Sequence, residues 1–171
     1  TVMVATLLNT TPQSLMVHPD LRSPQELKGK KLGVTRFGAL SDFGVRKYLQ
    51  KINLEPEKDV AILQLGGLPE ILAAMQSGAI HGGALSSPAL TKAKHLGFKE
   101  LMDLGNLGIQ YPGLSYMATE TYIKAHRPIV VNFLKAIIES THSLKRNKDF
   151  TIRVLKKYTK MDEPAVLDET H

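Results

Sequence analysis

The segment Lys31–Tyr48, KLGVTRFGALSDFGVRKY, constrains this chain more than any other. Lys31-Leu-Gly-Val-Thr35 is short, apolar and β-branched, and so predicts a buried strand. Arg36-Phe-Gly-Ala-Leu40 follows as a tight loop in which Gly38 is free to take a positive φ. Ser41 is placed to cap a helix over Asp42–Gln50, its hydroxyl accepting a backbone N–H two or three residues on. A strand, a glycine loop and a helix start leave several unpaired N–H groups at the carboxyl end of a sheet. In open α/β folds that edge holds ligands, and the helix dipole favours an anionic or strongly polar group there. Many α/β proteins have such a corner, so the rest of the chain must decide what this one does.

The segments around it alternate. Val2–Leu8 and Ser14–Val17 read as two short strands broken by Asn9-Thr-Thr-Pro12. Ser23-Pro-Gln-Glu26 has the form of a capping box with proline at the first helical position, opening a single turn that ends at Gly29. After the polar link 53–59, Val60–Gln64 predicts a strand and Gly66-Gly67 a turn. Leu68–Ser77 predicts a helix, with Pro69 in its first turn and Gly78 as its stop. Ala79–Leu85 is the next strand, and Ser86-Ser87-Pro88 is read as capping a helix Ala89–Leu96 that stops at Gly97. Phe98–Leu104 closes the series. Strands alternating with helices of this length predict a parallel sheet with helices on its faces.

Beyond the Gly/Pro-rich passage 106–113 the character changes. Leu114–Ala118 predicts one more strand; amphipathic helices follow over Thr119–His126, Pro128–Lys145 and from Asn147 or Lys148 to Lys160. Asp162-Glu-Pro164 opens a last one. The α/β block is expected over about residues 29–108, with both flanks belonging to a second body and the two crossings forming a hinge. Leu72, Met75, Val131, Leu134 and Ile138 fall at helical spacing and are expected in the core.

Composition narrows the function. With 171 residues, 43% hydrophobic and 22% charged, the chain can bury a sizeable core and is not expected to be disordered. The net charge of +6 is spread out, without the interleaved aromatics of a single-strand binder, so a solvated surface is expected rather than nucleic-acid binding. The absence of cysteine removes disulfides, thiolate catalysis and zinc–thiolate sites. His18, His81, His95, His126, His142 and His171 show no ligand spacing, so no metal and no cofactor are expected. Neither G-x-S-x-G nor G-x-x-x-x-G-K-[ST] occurs, and the carboxylates are scattered; no enzyme activity is expected. Thr1 is not an initiator methionine and the first residues already read as a strand, so the chain is expected to begin inside a longer protein.

Ser23-Pro-Gln-Glu-Leu-Lys-Gly-Lys-Lys-Leu-Gly-Val34 resembles the "s..dLkGKkigv" opening of the second lobe of bacterial periplasmic substrate-binding proteins. The Gly38–Ser41 turn, Gln64-Leu-Gly66, Ala73-Ala-Met-Gln-Ser-Gly78 and Ser87-Pro88 continue the pattern across nearly the whole chain. The chain is most similar to the nitrate/sulfonate/taurine group of ABC-importer binding proteins, which includes relatives that bind the thiamine pyrimidine. The resemblance implies an α/β, type II periplasmic-binding fold, with one complete lobe (a mostly parallel sheet with flanking helices) and a partial second lobe. Residues 1–28 would be hinge strands and a lobe-one remnant, 29–108 lobe two, and 109–171 the return strand and lobe-one C-terminal helices. One departure stands out: the family usually has an acidic residue in a G-x-[ILV]-D-a segment where this chain has His81.

Ligand contacts are expected from Asn9, Thr35, Arg36, Phe37, Gly38, Ser41, Gln64, Gly66, Gly67, Ser86 and Ser87. Each also has a plainer reading. In that reading Ser41, Ser86 and Ser87 serve only as helix caps, the glycines only as turns, and Asn9 only as a turn residue. Arg36 is either a bidentate clamp for a sulfonate or carboxylate or a solvated loop side chain. Phe37 either stacks on a flat ligand or packs under the hinge. The implied function is the solute-binding component of an ABC-type importer, periplasmic or lipid-anchored outside the cytoplasm. It would capture a small polar or anionic molecule between its lobes and present it to a membrane permease. The orphaned lobe-one segments either pack on lobe two or exchange between copies as a swapped dimer, and of the two self-association is expected. The rival reading is a cytoplasmic ligand-sensing effector domain of a transcription regulator. A pyrimidine-forming enzyme on this fold would need a reactive histidine or a cysteine-rich motif, and the chain has no cysteine.

Overall fold

The computed structural model describes residues 1–159 together with Leu167; the helix expected from Asp162, and His171, lie outside the described residues. The chain divides into two compact units, Thr10–Tyr111 on one hand and Thr1–Asn9 with Pro112–His171 on the other. The backbone therefore passes between units twice, after Asn9 and after Tyr111.

In the Thr10–Tyr111 unit the strands are β2 (Ser14–Val17), β3 (Lys31–Val34), β4 (Ala61–Gln64), β5 (Gly82–Leu85) and β6 (Lys99–Asp103). They form one sheet in the order β4-β3-β5-β2-β6. β3 pairs in parallel with β4 and β5, whereas β2 runs antiparallel to both β5 and β6. The sheet is thus mixed: four strands point one way and β2 the other. The parallel alternation expected from sequence holds for 31–85, but Ser14–Val17, read as a hinge strand, lies in this sheet between β5 and β6. Its four residues are all buried, as a strand covered on both faces must be.

The helices are α1 (Leu40–Lys51), α2 (Leu68–Gln76) and α3 (Ala89–His95). Strand alternation sorts them onto two faces. Leu15 and Val17 of β2 join Leu32, Val34, Val45, Tyr48 and Leu49 in one apolar cluster, under α1. Met16, between them, joins Ile71, Leu72, Met75, Leu85 and Ala93 in the other, under α2 and α3. Glycine on β5 lets both layers fit. A Cβ on Gly82 would lie 2.5 Å from the Met16 carbonyl oxygen, and one on Gly83 would run into the Ile71 side chain. Gly78 and Gly97 end α2 and α3 at φ of 73° and 87°, as their stop positions require. Pro24–Leu27 forms a single 3-10 turn; Ser23 and Glu26 bond each other, and Glu26 reaches back to the Arg22 N–H.

Two helix starts differ from the sequence reading. α1 begins at Leu40 behind Ala39, so Ser41 is its second residue and caps nothing. α3 begins behind Pro88, again without a side-chain cap from Ser86 or Ser87.

In the second unit, β1 (Val2–Leu8) and β7 (Leu114–Ala118) form a two-stranded antiparallel ribbon. It is followed by α4 (Glu120–Ala125), α5 (Arg127–Arg146) and α6 (Lys148–Thr159). Tyr116 of β7 meets Phe133 of α5 edge-on at 5.0 Å. Neither α4 nor α5 contains a buried residue. Val131 and Ile138, expected in the core with Leu134, are 39% and 69% exposed, and Leu134 is half-buried. Their helical spacing is real, but a two-stranded ribbon is too narrow to cover the apolar stripe of a long helix. No helix among the described residues is long and apolar enough to cross a membrane.

Candidate functional site

The carboxyl ends of β4, β3 and β5 lie side by side, because these strands are parallel neighbours. Three loops leave that edge: 65–67 toward α2, 35–39 toward α1, and 86–88 toward α3. The first N–H groups of each helix have no partner within their own helix. Ten of the eleven residues expected to touch ligand stand on these loops or beside them. Asn9 does not; it is exposed and belongs to the other unit.

Three pairs are joined directly. The Ser41 hydroxyl is fully buried and lies 2.8 Å from the Thr35 hydroxyl, and it also accepts the Thr35 N–H at 3.1 Å. Its role is therefore to tie the strand end to the helix. Gln64 Oε1 accepts the Phe37 N–H at 3.0 Å, and the Thr35 carbonyl accepts the Gly66 N–H at 3.0 Å, so the first two loops are laced together. Gly38 and Gly66 hold φ of 75° and 96°, which only glycine adopts at no steric cost. Ser86 and Ser87 stand on the next loop over without a hydrogen bond to these residues.

The Arg36–Gly38 loop is fastened from below. The buried Asp42 carboxylate accepts the Gly38 N–H at 2.9 Å through Oδ2 and Arg46 Nε at 2.6 Å through Oδ1. Arg46 Nη2 in turn donates to Glu57 at 2.7 Å, and its guanidinium lies 5.8 Å from the Phe37 ring centre. Phe37 itself is 53% exposed. Arg36 is exposed, and among the described residues no carboxylate lies within ion-pair reach of it. A cation and an aromatic face are therefore held at the edge of the sheet with free surface. Phe43 and Tyr111 stack at 4.7 Å beside the same helix.

Sequence reasoning missed the other half of this edge. Because β2 is antiparallel, its amino end lies at the carboxyl ends of β5 and β6: Ser14 pairs with both Leu85 and Asp103. Thr10, Thr11 and Gln13 therefore reach the same edge. Thr10 Oγ1 donates to the Gly105 carbonyl at 3.1 Å, the Gln13 carbonyl accepts the Leu104 N–H at 2.9 Å, and Thr11 and Gln13 are buried. Only the direction of β2, which its sequence does not encode, brings them there.

His81 lies at the other end of β5. Its N–H donates to the Lys31 carbonyl at 2.9 Å, its carbonyl accepts from His18, and its Nδ1 accepts the Lys31 N–H at 3.2 Å. Burial, followed by the charges of Lys30, Lys31 and His18, pushes its imidazole below the usual histidine range. The four residues of β5 separate it from the edge that carries the three loops by about 13 Å. An open cleft lined by His142, Ser143, Arg146, Asn147 and Phe150 lies at the α5–α6 junction of the second unit and holds none of the expected residues. Among the described residues, no three His, Asp or Glu side chains come together as a metal site would need.

This architecture is that of the periplasmic-binding proteins. A protein from Bordetella bronchiseptica RB50 matches over 98% of this chain and 57% of its own, at 20% identity and a TM-score of 0.82. The alkanesulfonate-binding protein SsuA from Xanthomonas axonopodis pv. citri, bound to MOPS, matches over 95% of this chain and 55% of its own (22%, TM-score 0.79). The periplasmic aliphatic sulphonate-binding protein SsuA from Escherichia coli matches over the same shares (20%, TM-score 0.80). The chain thus spans a little more than half the length of these structures. Comparison with curated proteins gives no match. The NMT1/THI5-like family model matches residues 1–149, and the chain belongs to that family.

Proposed function

We propose that this chain is part of the solute-binding component of an ABC-type importer. It captures a small anionic or strongly polar molecule, a sulfonate, nitrate, taurine or similar solute, and hands it to a membrane permease outside the cytoplasm. The observation that carries this reading is the laced edge of the sheet. Parallel strands deliver Thr35–Ser41, Gln64–Gly67 and Ser86-Ser87 to one side, where helix-start N–H groups, hydroxyls, Arg36 and the exposed Phe37 ring converge. Such a surface offers donors and positive potential to an anion, and an aromatic face to whatever the anion is attached to. Two of the similar structures are named for the sulfonates they bind, and one is named as periplasmic. The reading includes residues 29–108 as the core of one lobe, the segments around Asn9 and Tyr111 as the hinge, and closure of a second lobe over the ligand. No chemical step belongs to it. These relatives lend the cytoplasmic-sensor reading no support.

The test is a thermal-shift screen of the full-length gene product that carries this chain, against taurine, alkanesulfonates, nitrate, bicarbonate, amino acids and pyrimidines at millimolar concentration. A ligand at 100 times its dissociation constant, bound only by the folded state, adds about 2.7 kcal/mol, a shift of several degrees. A shift confined to the sulfonates or another anion class is the expected result. A flat response across the panel overturns the reading.

A further inference from the structure

We infer that Gln13 is a ligand-contact residue, its side-chain amide N–H donating to an acceptor oxygen of the bound anion; this rests on the solute-binding reading above. Gln13 is 9% exposed, yet only half of its amide is used. Its Oε1 accepts the Thr11 hydroxyl at 3.2 Å, and among the described residues nothing pairs with its Nε2. Among the described residues no buried side-chain nitrogen or oxygen goes without a partner, so Nε2 is not sealed in the core but reaches the surface. The amide is thus held in place with its donor end open to solvent, where its N–H can exchange a bond to water for one to a ligand oxygen.

The place where it opens is set by strand register. Ser14 stands opposite Leu85 and Leu15 opposite Ala84, so continuing the antiparallel ladder by one residue puts Gln13 opposite Ser86. Leu15 and Val17 face the α1 side of the sheet, and alternation sends Gln13 to that same side. Thr11, itself 6% exposed, fixes the amide by holding its oxygen and so leaves the N–H₂ end free; it is a positioning residue. Its carbonyl packs closely on the loop after β6: it would lie 2.9 Å from a Cβ on Gly105, an approach that only glycine permits there. Gln13 thus extends the ligand edge past Ser86, from the central strand β5 to its neighbour β2. A neutral donor suits an anionic or carbonyl oxygen and rejects a cation.

The experiment is calorimetric titration of the full-length gene product with ethanesulfonate, taurine and nitrate, for the wild type, Gln13→Glu and Gln13→Leu. Gln13→Glu is the decisive variant. It keeps an oxygen for Thr11 but replaces the N–H donor by an anionic acceptor. Both variants are expected to weaken the anion that the wild type binds by about tenfold or more, Gln13→Glu most. A second measurement needs no variant: the Gln13 side-chain amide resonances of ¹⁵N-labelled wild type are expected to shift and exchange more slowly at saturation. Wild-type binding with unaltered variant affinities, or unmoved Gln13 resonances at saturation, overturns the Gln13 assignment and leaves the transport reading standing. No binding of any probe by the wild type overturns both.

Discussion

The two units contain similar side chains and treat them differently. In Thr10–Tyr111, Leu15, Leu32, Val34, Leu49, Ile71 and Leu85 are fully buried between a five-stranded sheet and helices on both faces. In the other unit, Ile129, Val131, Phe133 and Ile138 lie on an equally amphipathic helix and stay between 39% and 69% exposed. The difference is not one of propensity or pattern. A five-stranded sheet offers two broad surfaces to pack on, and a two-stranded ribbon offers little of either. Periodicity shows which side of a helix wants burial; only the partner surface decides whether burial happens.

The largest expected effect tests that contrast directly. In the dilute, monomeric chain, Leu32→Ala is expected to destabilise the α/β unit by about 2–5 kcal/mol, and Ile138→Ala to change stability by less than about 0.5 kcal/mol, both read by urea unfolding below the concentration at which the chain associates. Equal losses would mean that α5 is covered in solution. Gly82→Ala sharpens the same point from the backbone side. Its Cβ meets a carbonyl oxygen that cannot rotate away, so a loss of about 1–3 kcal/mol is expected although a methyl group is added.

Next comes the loop at the proposed ligand edge. Asp42→Asn weakens the hold on Gly38 and removes the charge facing Arg46, while Glu57 still binds that guanidinium. A loss of about 1–2 kcal/mol is expected, with faster amide exchange at Phe37 and Gly38. Unchanged exchange there would show that Gln64 alone holds the loop.

For the 171-residue chain by itself, the exposed face of α5 is expected to drive self-association. Sedimentation should show species larger than a monomer at tens of micromolar, and Val131→Glu with Ile138→Glu should restore the monomer. A monomeric wild-type chain contradicts this.

The smallest expected effect contrasts the two ends of β5. Folding lowers the His81 pKa, so the unfolded chain binds more protons as the pH falls. The contribution of neutral His81 is complete above its unfolded value near 6.5 and declines as the pH drops through that value toward the folded one. Stability should thus rise from pH 5 to 7, and less steeply in His81→Gln. Ligand affinity should be the same in both proteins, because His81 lies at the opposite end of the strand from Ser86. An affinity change would join the two ends.

The fold was largely readable in the sequence. Hydrophobic runs of four or five residues, glycine stops at 78 and 97 and prolines at helix starts mark the elements from 31 to 97 within a few residues, and the family motifs fit the same frame. What could not be read is tertiary. Ser14-Leu-Met-Val17 looks the same in a hinge or a central strand, so its place between β5 and β6, and with it the arrival of Gln13 at the carboxyl ends of these strands, had no local signal. Ser41 has the composition of a cap, but Thr35, six residues earlier, claims its hydroxyl. Val131 and Ile138 have core spacing without a core. Chemistry-bearing residues on loops after parallel strands were found because topology alone places them together; those preceding an antiparallel strand were not.

The most direct test is amide hydrogen exchange of the full-length gene product with and without a solute that shifts its melting temperature. New protection centred on 35–42, 64–68, 86–87 and 10–13 is the predicted result, because these segments converge at one edge of one sheet. Protection that spares them and falls on α5–α6 or around His81 would contradict the account.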